Sequence, residues 1–317
     1  MKILKLKWLS LIVSILLLLV LAASSCTYAN TKTADIVSSA QTAGANVQTY
    51  QFDVNLSLNL VTSGSTSASN MNINVTGDGT GALDKAQKDA HGLFNVSADI
   101  PVLGKQNIPI EYYLAGGWIY MKLGIPMLGD QWNKVQAQEP QWETEDQIAQ
   151  QLGFLKTAVQ IEQEGSENVD NVDCYVLAVK PDLTKISEWL TSLEQSLGSE
   201  TQQFSLPAAK PGTDLSKFIK QLTIKEWVAK DTYLIAKAEI GMDISMRAAD
   251  FGLPTKTPEA TAGGALSRVA PAFLSDAKGQ MTVNVSASIK YHDYNQPVTV
   301  TLPPEAQNAK EMSKPGK

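Results

Sequence analysis

The sequence predicts an α+β fold, a single antiparallel sheet with one polar face and one apolar face covered by helices. Three observations predict it. Long stretches alternate apolar and polar residues with a period of two, the signature of half-buried strands. A few stretches between them place apolar residues at helical spacing, and such helices need an apolar surface to cover. Hydrophobic residues make up 44% of the 317 and charged residues only 18%, enough for a core. A closed barrel is the alternative, and the interposed helices argue against it.

The N-terminus comes first. Lys2, Lys5 and Lys7 precede an apolar run from Trp8 to Ala23, a basic region followed by a hydrophobic one, as in a secretory signal. Leu21-Ala22-Ala23-Ser24-Ser25-Cys26 resembles a bacterial lipobox, with small residues directly before a cysteine. The resemblance implies a signal peptide over residues 1–25 and acylation of Cys26. Several acyl chains satisfy the requirement for stable anchoring, which one chain does not. The chain would then be extracytoplasmic, held at the cell membrane through Cys26. Its net charge of −6 becomes −9 as Lys2, Lys5 and Lys7 leave with the signal. So acidic a chain has no general attraction to anionic lipid, and the anchor must hold it.

Residues 26–34 read as a polar tether, and residues 35–305 as one domain. Asp35 to Asn46 is expected to be a helix, with Ile36, Val37, Ala40 and Ala43 on one side. Then the period changes. Tyr50, Phe52, Val54, Leu56, Leu58 and Leu60 alternate with Gln51, Asp53, Asn55, Ser57 and Asn59. Thr62 to Ser69 turns the chain, and Met71, Ile73 and Val75 alternate on the way back. The Gly77-Asp78-Gly79 stretch invites a bulge or bend. Further strands are predicted over His91–Ile100, Ile108–Leu114 and Trp118–Leu123, with Ala115-Gly116-Gly117 as a tight hairpin link.

Helices are predicted over Glu143–Thr157 and Asp182–Leu197. Pro181 and Gly198 supply start and stop signals for the second. Strands are expected at Ala158–Glu164 and Asp173–Val179. Asp214 is a candidate cap for a short third helix through Leu222. Thr223–Ala229 and Thr232–Met246 flank a turn at Lys230-Asp231. Residues 247–278 are irregular and rich in Gly, Pro, Thr and Ala, an expected excursion. Met281 to Tyr291 alternates again, and Val298–Leu302 is expected as a last edge strand. Pro303-Pro304 should end it, with a disordered tail over 306–317.

Catalytic and metal motifs are absent. No G-x-S-x-G, P-loop, dinucleotide fingerprint or H-E-x-x-H occurs. Glu162 and Glu164 share a strand face and are expected to meet solvent. His91 and His292 are too far apart in sequence for ligand spacing, and each reads as a strand-surface residue. The two cysteines allow no disulfide framework, and Cys174 reads as a buried structural thiol. Trp118, Trp132, Trp142, Trp189 and Trp227 read as core packing rather than sugar stacking. An acidic chain lacks the clustered cations that nucleic acid requires. The expectation is therefore a non-enzyme without cofactor or metal and with no nucleic-acid partner.

What remains is apolar surface. Phe52, Val54, Leu56, Leu58, Ile73, Val75, Met242, Ile244, Met246, Val283, Val285 and Ile289 are predicted on one sheet face. If helices leave it incompletely filled, Leu56, Leu58, Ile73, Met242, Ile244 and Val285 are the candidate lining of a hydrophobic ligand site. If they fill it, the same residues are plain core, and the protein is a structural or protein-interaction module on the cell surface.

Three stretches carry a family resemblance. Ile224-Lys225-Glu226-Trp227-Val228-Ala229-Lys230-Asp231-Thr232-Tyr233-Leu234-Ile235 resembles the strand–turn–strand of lipoproteins related to LppX and LprG. Tyr291-His292-Asp293-Tyr294-Asn295-Gln296-Pro297-Val298 resembles their final strand turn, and Gly117-Trp118-Ile119-Tyr120-Met121-Lys122 their mid-chain strand. The likeness spans roughly residues 35–305. It implies the fold of the lipoprotein carrier LolA: a curved, half-open antiparallel barrel wrapped around a few helices, with a hydrophobic cavity. It also implies binding of a lipid or lipidated molecule and its transport between membranes. No catalytic residues come with it. The 247–278 excursion departs from the compact pattern, at the expected cavity mouth.

Overall fold

The computed structural model describes residues 27–28, 31–64, 70–100, 104–124, 131–137, 158–181, 217–247 and 279–311. Strand β1 (Thr27–Tyr28) leads into helix α1 (Thr31–Ala45). Then come β2 (Thr49–Ser63), β3 (Met71–Asp84), β4 (Asp89–Ile100), β5 (Gly104–Ala115), β6 (Trp118–Leu123) and β7 (Trp132–Gln136). After these follow β8 (Ala158–Val169), β9 (Val172–Pro181), β10 (Ile219–Ala229), β11 (Ile235–Arg247) and β12 (Gln280–His292). Helix α2 (Pro304–Gln307) and β13 (Lys310–Glu311) finish the described chain.

All thirteen strands belong to one sheet, ordered β1-β8-β9-β10-β11-β12-β2-β3-β4-β5-β6-β7-β13. Neighbours are antiparallel except the short edge pairs β1–β8 and β13–β7, which are parallel. β12 pairs with β2 over thirteen residue pairs, from Gln280↔Ser63 to His292↔Gln51, joining the two ends of the domain. The sheet is open, with β1 and β13 at its edges and no pairing that closes it among the described residues. Of the expected covering helices only α1 lies within the described residues; Glu143–Thr157 and Asp182–Leu197 fall outside them, as does nearly all of the 247–278 excursion.

Turn chemistry explains several connections. Gly116 and Gly117 both have positive φ, +57° and +76°, the geometry of a two-residue hairpin turn that a side chain disfavours. Asp170 and Asn171 do the same between β8 and β9, at +48° and +70°; Asp and Asn tolerate this region better than other residues. A register shift between Gln163 and Gly165 marks a bulge in β8.

Five expectations change. The Gly77–Gly79 stretch forms no bulge: β3 pairs without interruption with β2 and β4. The glycines instead seat aromatic rings. A Cβ at Gly79 would collide with Phe94, and one at Gly81 with Phe52, so ring burial compensates for the missing side chains. The third helix does not reach Leu222, because Ile219–Leu222 already belong to β10 and pair with β11; long-range pairing overrides local helical spacing. Val298–Leu302 forms no strand. Pro297 and Pro303 bracket it and cannot donate to a ladder, and the chain instead enters α2 with Pro304 at its start. The tail is ordered through Glu311, where Lys310 and Glu311 pair with Asn133 and Lys134 of β7. The N-terminal tether is shorter than expected: Thr27 and Tyr28 already pair with Gln160 and Ile161, and α1 begins at Thr31 rather than Asp35.

One face of the sheet is mostly apolar, with Glu226 and Thr62 buried on it. Helix α1 rests on part of it through Ile36, Val37 and Ala40. These pack in one cluster with Val47, Tyr50, Ile161, Leu177, Val179, Ile224, Val228, Ile235, Ala238, Ile289 and Tyr291. Asn46 closes the helix, its Nδ2 donating to the Thr42 carbonyl at 2.9 Å. On the opposite face, Cys174, Val176, Trp227, Ala229 and Ala236 form a smaller cluster. Trp132 packs with Ala306, Ala309 and Leu302, which ties the C-terminal segment to β7.

Candidate functional site

The six predicted lining residues share the apolar face. Leu58 stands opposite Val285 and Val75, and Val285 stands opposite Met242. Leu222 extends this row from β10. The next row away from α1 is Ile244–Val283–Leu60–Ile73. Leu56 lies one row nearer α1, opposite Gly77 and Ala287. Leu56 and Ile73 are buried, at 8% and 7% exposure, while Leu58, Met242, Ile244 and Val285 are half-buried.

Two clusters meet at Leu58 and Leu60. One gathers Ile73, Val75, Val96, Ala98 and Ile110 with half-buried Met71, Phe94, Ile108 and Leu123. The other gathers Met246, Met281 and Val283 with half-buried Phe218, Ile244 and Val285. Both consist of sheet residues and Phe218, and no described helix packs on them. Among the described residues the face therefore continues beyond the reach of α1 with no helix packed on it. Its chemistry is mostly that of hydrocarbon contact: flexible methionines line it, and buried Thr62 stands opposite Met281 and Met71.

The polar face carries Asn, Ser and Thr in register across β11, β12, β2 and β3. Asn59 Nδ2 donates to Asn72 Oδ1 at 2.8 Å and Asn74 Oδ1 at 2.5 Å; Asn284 Nδ2 donates to Asp243 Oδ1 at 2.7 Å. Where small side chains coincide, at Ser57, Thr76, Gly241, Ser286 and Ser288, a shallow pocket of about 600 Å³ opens. Of the six predicted lining residues only Leu56 borders it. Its rim charges are already engaged, Lys225 with Glu164 at 2.6 Å and Glu239 with Lys237 at 2.5 Å.

Glu162 and Glu164 meet solvent as expected, paired with Lys180 at 3.6 Å and with Lys225. His292 lies between Asp293, 2.8 Å from Nδ1, and Asp53, 3.6 Å from Nε2. His91 is less exposed than expected. It stacks on Tyr113, burial holds its imidazole below the ordinary value, and its Nδ1 is buried without a partner. Cys174 is buried, and burial first, then Asp173 and Asp231, push its thiol up, the opposite of a reactive cysteine. Trp132 and Trp227 are buried, and Trp227 Nε1 donates to Glu167 at 2.8 Å. Trp118 is half-buried with the Lys134 ammonium 4.9 Å from its ring. Trp142 and Trp189 lie outside the described residues. Among the described residues no three His, Cys, Asp or Glu side chains gather as a metal site would require.

One residue escapes the sequence reading. Glu226 stands at the apolar phase of β10 between Ile224 and Val228, 3% exposed. Burial pushes its carboxyl up to about 8. The alternation itself held the signal, since a charged residue two positions from each of two buried apolar ones must face the core.

Comparison with known proteins gives a family and a set of distant shapes. Residues 32–253 match DUF6612, described as a family of unknown function. The crystal structure of Mycobacterium tuberculosis lipoprotein LppX is 12% identical, with 84% of this chain and 97% of that one aligned and a TM-score of 0.36. LprF from Mycobacterium bovis is also 12% identical, over 86% and 98%, with a TM-score of 0.40. A DUF1329 family protein from Desulfovibrio piger is 13% identical over 84% and 94%, with a TM-score of 0.24. At TM-scores this low the likenesses carry no functional argument. Comparison with the curated proteins gives no match.

Proposed function

The chain belongs to DUF6612, a family of unknown function, and since no activity comes with membership, we propose one from the geometry. The protein is an extracytoplasmic, non-enzymatic lipoprotein, anchored through acylated Cys26, that holds a hydrophobic ligand on the part of its apolar face beyond α1. The observation that carries this reading is the half-buried row Met242–Val285–Leu58, continuous with Leu60, Phe94, Ile108 and Leu123, with no described helix in the clusters formed there. An acyl chain laid along it gains about 0.8 kcal/mol per methylene removed from water, with no charged contact needed. The anchoring assigned to Cys26, which lies outside the described residues, rests on its lipobox-like setting; no described helix is long and apolar enough to cross a membrane.

Gentle purification followed by native mass spectrometry tests the ligand, and delipidated protein should then take up a fluorescent fatty-acid or phospholipid probe saturably. A bare mass together with no saturable uptake overturns it. Intact mass tests the anchor separately: the membrane-extracted chain should begin at Cys26 and carry acyl chains, and Cys26→Ser should release the protein from membranes.

A second reading is a structural or protein-interaction lipoprotein with a filled interior. The burial of Leu56 and Ile73 and the opening of the pocket on the polar face favour it. It predicts the bare mass and no uptake.

A further inference from the structure

The chain meets the sheet one residue after Cys26. Thr27 and Tyr28 pair in parallel with Gln160 and Ile161 of β8. Consecutive Cα atoms lie about 3.8 Å apart, so no free residue separates the cysteine from the ladder. Helix α1 then begins at Thr31 and is itself held down: Ile36, Val37 and Ala40 join the large cluster, Thr33 is fully buried, and the Lys32 ammonium lies 5.8 Å from the Tyr175 ring. The ladders relate this entry point to the rest of the sheet. Tyr28 stands in one row with Ile161, Val179, Ile224, Ile240, Ala287 and Leu56. Two residues back along the chain from Tyr28 is Cys26. The same step along the other strands leads to Met242, Val285 and Leu58, and beyond them to Met246, Met281 and Met71. The anchor and the apolar face beyond α1 therefore lie toward the same end of the sheet. That end is cationic although the chain is acidic. Its described residues include exposed Lys105, Lys180, Lys217, Lys220 and Arg247, and Asp99 is the one carboxylate in the last three residues of strands β2–β12 there. Lys180 is paired with Glu162 at 3.6 Å, yet 64% of its side chain is exposed. The turns at the opposite end mix both signs, Asp170, Asp231 and Asp293 with Lys88 and Lys230.

We propose that β1 clamps the anchor to the sheet, so that the end bearing Lys105, Lys180, Lys217, Lys220 and Arg247 rests on the anionic surface of the bilayer and the apolar face beyond α1 opens toward it. The proposal rests on the acylation of Cys26 argued above. A lipidated cysteine on a flexible tether leaves its domain free to turn, because the reach of a tether grows with its length. Here that length is nil, and the first paired residue stands where the acyl chains enter the membrane. Charge then selects the face that meets the lipid. An acidic body is repelled by anionic lipid as a whole, but only charges within a Debye length of about 10 Å count. The strand-end cations fall inside that layer and the carboxylates of the far turns fall outside it. Acyl chains and a basic patch together hold more firmly than either does alone. The consequence for the ligand site is access: a hydrocarbon chain leaving the bilayer meets Met246, Met281 and Met71 first and Leu58 next, without crossing the polar face.

The acylated full chain in phosphatidylcholine vesicles containing phosphatidylglycerol tests this. A fluorophore is attached at Gln280→Cys, at the anchored end, or at Gln87→Cys, at the far end; both positions are exposed, and native Cys174 is buried. Lipid carrying a nitroxide on its headgroup should quench the first at least threefold more than the second. Reversing Lys180, Lys217 and Lys220 together to Glu should shrink that contrast. So should a Gly-Ser linker inserted between Cys26 and Thr27, a change that leaves the folded domain untouched if the charge variant folds poorly. Intact mass is read on the same sample. An acylated chain quenched equally at both positions overturns the orientation and leaves the anchor standing, whereas a chain without acyl groups at Cys26 overturns both. An undiminished contrast in the linker variant overturns the clamp, and one in the charge variant overturns the cationic contact. None of these readouts involves a bound ligand, so the orientation and the ligand site are tested separately.

Discussion

The part of the apolar face beneath α1 and the part beyond it are built from the same alternation and the same residue types, yet they end differently. Beneath α1, Ile161, Leu177 and Val228 are fully enclosed at 0% exposure. Beyond it, Leu58, Leu60, Met71, Phe94 and Ile108 remain half-buried beside buried Val96, Ala98 and Met246. Strand periodicity determines which way a side chain points. What lies on top of it is a separate matter, decided by elements that share no ladder with it. The part beneath α1 behaves as core, and the part beyond it is where the proposed ligand is held.

The largest expected effect belongs to the covered part. A carboxyl raised from 4.5 to about 8 in the folded chain keeps its proton where the unfolded chain has lost it. Stability is then fully present below about pH 4.5, falls as pH rises through the window to about 8, and is flat above. The full loss is roughly 4–5 kcal/mol. Urea unfolding across pH 5–9 should show this slope, and Glu226→Gln should flatten it. Next, Leu177→Ala should cost about 2–4 kcal/mol, because a closed core cannot collapse around the cavity. Leu58→Ala, beyond α1, should cost about 1 kcal/mol and instead weaken uptake of an acyl probe; equal costs at the two positions would erase the distinction between them.

Gly79→Ala tests the ring seat that lies between the two parts. Its Cβ meets Phe94 and the Leu93 carbonyl, so a loss of about 1–3 kcal/mol is expected, measured as a lower urea midpoint. The smallest effect is on the polar face. Lys225→Ala removes the exposed ion pair with Glu164 and should change stability by less than about 1 kcal/mol, and still less in high salt.

Much of the sheet was legible because period-two alternation is local. Tyr50 to Leu60 and Met281 to Tyr291 state their faces outright, and their pairing with each other follows the apolar match of Leu58 with Val285. The Gly116-Gly117 turn was legible for the same reason, as local chemistry. Illegible features depend on distant partners. Thr27–Tyr28 and Lys310–Glu311 are two-residue strands that exist because an edge is there to receive them. Gly79 and Gly81 signal a bulge until the rings of Phe94 and Phe52 are known to cover them. Val298–Leu302 carries the right residue types for a strand, but its flanking prolines deny it a ladder. At the candidate site, the common face of the six lining residues was visible in their phase; how far α1 reaches across that face was not, since it depends on where the helix packs.

The most direct measurement uses a fatty acid carrying a nitroxide near its methyl end, added to delipidated protein with labelled methyl groups. If the ligand lies beyond α1, the methyl signals of Met71, Met242 and Leu58 should broaden saturably, while those of Ile36, Ile161 and Leu177 stay sharp. Uniform weak broadening, or broadening confined to the methyls beneath α1, would contradict the account.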